Sequence, residues 1–312
     1  MTATLDQELP QPAELLATDV TAEVRATLPP LTPRRQLVRA VLIVIFALSF
    51  GLVIQMTLVS RLQHHAAQGR AFNRFRAELA TGVAPIGPTD DANLVLAPGT
   101  PVAFVEIPSI GVKEVVGEGT TSAVLFDGPG HRRDTPLPGQ AGTSIIYGRR
   151  ASYGGPFHRL PELKKGALIR VTTGQGVYEF SVLGLRREGS PVPPELAADS
   201  SRILLVTAAG SPYVPNGLLR VDADLKGQAV GGPARAVSTA SLSPEERANA
   251  GDTRTLWALA LWLQALVALS IAAVWAWHRW GRAQAWIVFL PLLMLAGIAA
   301  AGQFARLLPN LL

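Results

Sequence analysis

The chain has 312 residues, with 28 basic and 23 acidic side chains and a formal net charge of +5 at neutral pH. It contains no cysteine, which excludes disulfide bonds, thiolate catalysis and thiolate metal sites. The charges are scattered and no aromatic RNA-binding motif is present, so we expect no nucleic-acid partner. The mean hydropathy of +0.27 is high for a soluble protein because apolar residues are concentrated in three segments.

The first third of the chain predicts a tail, a membrane anchor and a helix. Residues 1–39 are polar and proline-rich, which is typical of a disordered cytoplasmic tail. Residues 40–60 form an uncharged apolar run of about 20 positions, long enough to cross a bilayer, and we interpret it as an uncleaved transmembrane helix 1. Residues 61–98 predict a juxtamembrane amphipathic helix followed by a linker rich in glycine and proline.

Residues 99–227 predict a separate globular domain, large enough to have its own core. Short runs of alternating apolar residues indicate strands, and the residues 157–164 indicate one helix. Many short strands with Gly/Pro turns favour a mainly β fold, either a closed barrel or a sandwich. The predicted strands are Val102–Ile107, Val112–Val116, Thr143–Tyr147, Leu168–Thr172, Gly176–Leu183, Ile203–Thr207 and Leu218–Ala223.

The last third predicts a linker and two further membrane helices. Residues 228–254 are rich in Ala, Ser, Gly and Pro, whereas residues 255–277 and 283–305 are uncharged and predict transmembrane helices 2 and 3. Arginines lie before helix 1 and in the turn 278–282, and they predict that both of these segments are on the cytoplasmic side. We therefore expect a multi-pass protein of the cell membrane, with a cytoplasmic N-terminus and an extracytoplasmic globular domain. The arginines at 61, 70, 74 and 76 argue against this orientation.

Three segments of the globular domain resemble the sortase family in consistent order: 143–150 (TSIIYGRR), 154–160 (GGPFHRL) and 203–209 (ILLVTAA). The resemblance implies an eight-stranded β-barrel with short helices, in addition to the three membrane helices. It is greatest to the class E and class D sortases. Sortases cut a sorting signal through a cysteine thiolate, with a histidine that moves protons and an arginine that stabilises the oxyanion or the substrate.

The resemblance also shows that the positions of these catalytic residues are substituted. Arg149 occupies the histidine position and Ala208 the cysteine position, and the arginine position falls on Leu218 or, two residues further, on Arg220. A guanidinium stays protonated and alanine has no nucleophilic atom, so no catalytic residue is intact. We expect a degenerate cleft, with metal and cofactor absent. The residues predicted to line this cleft are His131, Arg149, Thr207, Ala208 and Arg220.

These substitutions predict a sortase-like pseudoenzyme that binds or scaffolds at the bacterial cell surface, in cell-wall protein sorting or in a secretion-linked membrane complex. Its expected partners are the lipid bilayer and another membrane or cell-surface protein, such as an active sortase or a sorting-signal peptide. One alternative is a transpeptidase or hydrolase with a substituted nucleophile, Thr207 or Ser211, paired with His131 or His158. Another is a structural subunit of a membrane complex.

Overall fold

The computed structural model describes residues 34–35, 38, 49–90, 92–234 and 236–312. Contacts divide the chain into two units, residues 1–49 and 50–312, and the second contains every helix and strand discussed below. Most of the predicted tail and residues 40–48 of the predicted transmembrane helix 1 lie outside the described residues. Residues 49–60 of that predicted span are helical and continue into the next helix.

Eight strands close into a barrel in the order β1-β2-β3-β4-β7-β8-β6-β5, which confirms the predicted eight-stranded barrel. Most neighbouring strands are antiparallel, and the strand pairs β2–β3 and β4–β7 are parallel. The strands are β1 Pro101–Ile107, β2 Val112–Glu118, β3 Gly130–His131, β4 Gly142–Tyr147, β5 Leu168–Thr173, β6 Gly176–Arg186, β7 Ser201–Ser211 and β8 Val214–Leu225.

The interior of the barrel is filled by apolar side chains that alternate along each strand. In β7, for example, Ile203, Leu205 and Ala209 belong to the main core together with Val221 and Ala223 of β8. Strand residues alternate between the two faces of a sheet, so the intervening residues of β7 face outward. At about 25 cal/mol for each Å² of apolar surface buried, such a core is the main stabilising contribution to the domain.

Helix α1, Ser60–Thr81, lies against the outside of β1 and β2. It ends at Gly82, which adopts the left-handed conformation that glycine accepts without strain. Gln68 accepts a hydrogen bond from the backbone N–H of Val115 and donates to its carbonyl, so the side chain extends the β2 edge. His64 Nε2 is 3.1 Å from Glu114 Oε1. The helix is therefore docked on the barrel.

Short helical elements connect the strands, and one prediction for them was wrong. Helix α2, Ser122–Asp127, follows β2. The helix predicted over residues 157–164 is instead a single 3-10 turn, Leu160–Glu162, surrounded by other turns. Pro161 lies within this turn, and the left-handed Gly154 and Gly155 precede the segment, so a longer α-helix does not form.

Two long apolar helices follow the barrel: α3, Leu256–Trp280, and α4, Arg282–Leu307. By length and composition, two stretches within the described residues are suited to crossing a membrane, 253–276 and 283–307. They form a hairpin whose two ends lie together, because the N–H of Asp252 donates to the carbonyl of Arg306 at 2.8 Å. Pro291 lies inside α4 without ending it. The remaining predicted span, transmembrane helix 1, is described only from residue 49 onward.

Candidate functional site

Ala208 lies on the outer face of the sheet formed by β4, β7 and β8. It is only 2% exposed and belongs to a cluster of apolar side chains separate from the barrel core. We call this cluster the outer apolar patch; its buried members are Leu125, Tyr147, Val206, Ala208 and Leu311. The position of the expected nucleophile is therefore a packed apolar contact.

The two candidate positions for the arginine also lie on this sheet. Leu218 pairs directly with Ala208 and packs against the outer apolar patch, whereas Arg220 pairs with Val206. Burial raises the pKa of the Tyr147 hydroxyl, while the charges of Arg132 and Arg220 oppose that shift. Arg220 is half-buried and close enough to Tyr147 to affect its ionisation, so it lies at the border of the patch.

Arg149 follows the end of β4 and is completely buried. Its guanidinium carbon lies 4.5 Å from the ring centre of Phe126 and 5.2 Å from that of Tyr153, within cation–π range. Nη1 donates to Ser152 Oγ at 2.9 Å, whereas Nε and Nη2 have no hydrogen-bond partner among the described residues. Burial lowers the pKa of Arg149 to about 9, which leaves it protonated at neutral pH.

The aromatic rings beside Arg149 come from two different elements. Phe126, at the end of α2, stacks on Tyr153 with 3.8 Å between ring centres and 5° between ring planes. Tyr153 has a φ of 51°, an uncommon backbone conformation for a bulky residue. The ring stacking and the buried side chain of Tyr153 hold this turn, so Arg149 is enclosed by preorganised flat surfaces.

The segment that follows α4, residues 308–312, covers Arg149 and Ala208, and we call it the docking segment. Leu311 is fully buried in the outer apolar patch with Ala208. The carbonyl of Leu312 accepts hydrogen bonds from Ser152 Oγ at 2.7 Å and from Arg149 Nη1 at 3.4 Å. The groove expected to hold a substrate is thus filled by the chain itself.

His131 occupies a different environment. Its Nδ1 is 2.8 Å from Glu118 Oε2 and its Nε2 is 3.0 Å from the carbonyl of Pro136. Burial alone lowers the pKa of His131, but Glu118 and the Pro136 carbonyl outweigh it, and the pKa is raised. His131 also lines a cavity of about 180 Å³, and Arg149 and Ala208 are not among the lining residues.

The residues considered as substitute nucleophiles are not brought next to a histidine. Thr207 lies between outward-facing Val206 and Ala208, so its side chain points toward the barrel interior; its hydroxyl is buried and has no partner among the described residues. Ser211 is exposed near the β7–β8 turn. His158 Nδ1 donates within its own turn, to the Gly155 carbonyl at 2.7 Å.

Sequence reasoning identified Arg149 and Ala208 but missed their neighbours. The side chains that enclose the site come from α2, from the turn after β4 and from the docking segment. Three separate features of the sequence were informative only in hindsight: the aromatic Tyr153 before two glycines, Phe126 at the end of a short apolar helix, and the polar Asn310 among leucines. None has the spacing of a known catalytic motif.

The sequence of residues 105–208, from β1 to Ala208, matches the family model described as the sortase domain. The barrel of this chain therefore resembles the sortase domain in sequence. Among curated proteins, Sortase D of Bacillus subtilis (strain 168) is 29% identical over 85 residues, which are 27% of this chain and 41% of that protein. The chain thus matches less than half of the length of this relative.

Solved structures of sortases are also similar to the chain. The sortase D5 transpeptidase of Clostridium perfringens is 22% identical, with coverage of 52% of this chain and 99% of that chain and a TM-score of 0.43. Sortase E from Streptomyces avermitilis is 26% identical, with coverage of 43% and 92% and a TM-score of 0.36.

Proposed function

We propose that this protein is a membrane-anchored sortase-like pseudoenzyme that binds or scaffolds other proteins at the bacterial cell surface. The observation that carries the proposal is that Ala208 and Arg149, at the two substituted positions, are both buried in packing contacts. Ala208 packs in the outer apolar patch, and Arg149 is buried between two aromatic rings. Both residues hold the groove closed, and neither supplies a nucleophile or a base.

The hairpin α3–α4 supports the proposed orientation in the membrane. Both of its ends lie beside the barrel, since Arg254 pairs with Glu245 and the carbonyl of Arg306 accepts from Ser122 Oγ and Asp252 N–H. A two-helix hairpin that enters and leaves on the barrel side has its turn, residues 278–282, on the opposite side. With the basic turn in the cytoplasm, the barrel is extracytoplasmic.

The substituted-nucleophile alternative is less well supported by the geometry. Thr207 points away from the outer face, and His131 is engaged by Glu118 and Pro136. A hydroxyl nucleophile needs a base within hydrogen-bond reach, and neither Thr207 nor Ser211 has a histidine as a partner among the described residues. We therefore propose that catalysis is absent.

The role of structural subunit in a membrane complex remains a second candidate. Large apolar side chains of the hairpin face outward, including Trp257 at 83% exposed and Ile287 at 74%. A Cβ added at Gly297 would meet no atom within 4 Å, so a second helix could approach closely at this position. For the subclass, we propose class D or class E.

Two measurements on the full chain in detergent test the proposed function. We expect neither cleavage nor joining of sorting-signal peptides above a boiled control when products are followed by mass spectrometry. Turnover that disappears in Thr207→Ala or Ser211→Ala would instead establish a substituted nucleophile. Purification of the tagged chain from its native membranes should recover a partner in stoichiometric amount, and its complete absence would contradict scaffolding.

The identity of that partner separates the remaining candidates. An active sortase or a protein with a sorting signal supports a role in cell-wall protein sorting. Unrelated membrane subunits support the structural role. Because the docking segment covers the outer apolar patch, we expect the partner to contact the hairpin or another face of the barrel.

A further inference from the structure

The docking segment makes several polar contacts with the 244–250 region and with the loop after β2. The side-chain amide of Asn310 donates to the carbonyls of Arg247 at 2.9 Å, Thr120 at 3.0 Å and Glu245 at 3.4 Å. Its backbone N–H donates to the carbonyl of Ala250 at 2.9 Å. Asn310 is fully buried, so these bonds form where water does not compete for the donors.

The next two residues of the segment make backbone contacts with the turn after β4. The N–H of Arg150 donates to the carbonyl of Leu311 at 2.9 Å, and the N–H of Ser152 lies 3.4 Å from the carbonyl of Leu312. The Ser152 hydroxyl and Arg149 Nη1 donate to the same Leu312 carbonyl. Backbone bonds fix the direction and position of a peptide, whereas the Leu311 side chain, buried in the outer apolar patch, supplies the apolar contact.

We propose that the degenerate groove is a binding site for the docking segment of this same chain, and that its occupation fastens the hairpin α3–α4 to the barrel. The two substituted residues suit this use. Ala208 is small and apolar, and it completes a patch that accepts Leu311. Arg149 is a donor that stays charged while it stacks on flat rings, and one of its N–H groups reaches the segment.

The connection to the hairpin is direct, because the docking segment begins immediately after α4. The carbonyl of Arg306, in the last turn of α4, accepts bonds from Asp252 N–H and from Ser122 Oγ. Thr120, whose carbonyl accepts from Asn310, also donates its hydroxyl to the Glu246 carbonyl at 2.6 Å. The barrel, the 244–250 region and the end of α4 therefore share one hydrogen-bond network centred on Asn310.

Hydrogen exchange followed by mass spectrometry on the full chain in detergent tests this inference. Peptides that contain Arg150 and Ser152 should exchange slowly in the wild type, because the amides of both residues point at the docking segment. Asn310→Ala should speed exchange in these peptides by about tenfold or more. Peptides of β1 and β5, on the far side of the barrel, should keep their protection. Asn216→Ala, the same substitution at an exposed site, is the matched control and should change neither region.

Every other outcome overturns the proposal. Rapid exchange at 150–152 in the wild type means that the segment does not occupy the groove. Unchanged protection in Asn310→Ala means that the network does not hold it. Loss of protection throughout the barrel means that the segment is part of the folding core and is not a separable ligand.

Cysteine labelling provides an independent second measurement, because the chain has no native cysteine. Leu311→Cys should react with a maleimide at least about tenfold more slowly than Val192→Cys, a position 78% exposed. Adding Asn310→Ala should remove most of that difference. Equal labelling rates in the two single variants, with 150–152 still protected from exchange, would show that another molecule covers the groove.

This inference goes beyond the proposed function, and the two can fail separately. Peptide turnover would refute the pseudoenzyme whether or not the segment is docked. A free docking segment without turnover would refute the inference and leave the pseudoenzyme in place.

Discussion

Two buried basic side chains, His131 and Arg149, are stabilised in opposite ways. His131 has a carboxylate partner in Glu118 and a carbonyl partner in Pro136, and its pKa is raised. Arg149 lies between aromatic rings, has two N–H groups without partners among the described residues, and its pKa is lowered by burial to about 9. A buried charge is costly unless it is paired, so the first site is a strong structural contact and the second is a weak one.

The largest effect in this comparison is expected from removing the partner of His131. Glu118→Ala removes the carboxylate partner of a buried histidine, and breaking a buried pair costs about 3–5 kcal/mol. Chemical denaturation of the full chain should show this loss in the free energy of unfolding. The matched control is Glu179→Ala, which breaks a pair with Arg170 whose two side chains are 43% and 46% exposed.

That exposed pair should contribute no more than about 1 kcal/mol. If Glu118→Ala is as mild as Glu179→Ala, then His131 is not held by charge, and the contrast with Arg149 disappears.

The second effect is the pH dependence that His131 gives to stability. Its pKa in the folded protein is raised above the ordinary 6.5 by Glu118, with smaller contributions from Pro136 and Asp134. The folded state therefore binds more protons than the unfolded state between the two pKa values. The stabilisation is fully present below about pH 6.5 and is lost as the pH rises through the folded pKa, with a slope of at most about 1.4 kcal/mol per pH unit.

Denaturation of the wild type and of His131→Gln across this pH range measures the effect. The wild-type curve should fall with rising pH, and the variant curve should be flatter. Stability that rises with pH in the wild type but not in the variant would mean that His131 is neutral when folded.

The barrel was largely predictable from the sequence, because the alternation of apolar and polar residues along a strand is visible over a few neighbouring positions. In β5 and β6 the apolar residues alternate, and the turn at Gly174 and Gln175 separates the strands as expected. The two-residue strand β3 is too short to show any periodicity. The predicted helix over 157–164 failed because Pro161 and the preceding glycines determine the local backbone.

The site was predictable only in part, because the residues that form it come from distant parts of the chain. The family resemblance singled out Arg149 and Ala208; Ala208 shares the outer apolar patch with Leu311, and Arg149 donates to the Leu312 carbonyl. Their environment depends on a segment that is 163 positions from Arg149 and on a helix that the sequence did not predict. Long-range packing of this kind leaves no periodic signal in the sequence.

The smallest effect is expected at Arg149, and it is the sharpest test of the comparison. In Arg149→Met a flexible apolar side chain of similar length replaces a charged one whose burial is only partly compensated. The variant loses the cation–π contacts and the bonds to Ser152 and Leu312, but it also loses the desolvation penalty of the charge. We expect these contributions to cancel, so that the free energy of unfolding changes by less than about 1 kcal/mol. Chemical denaturation of Arg149→Met and of Glu118→Ala under the same conditions measures both effects. A loss as large as that of Glu118→Ala would show that the groove holds its cation as firmly as Glu118 holds His131.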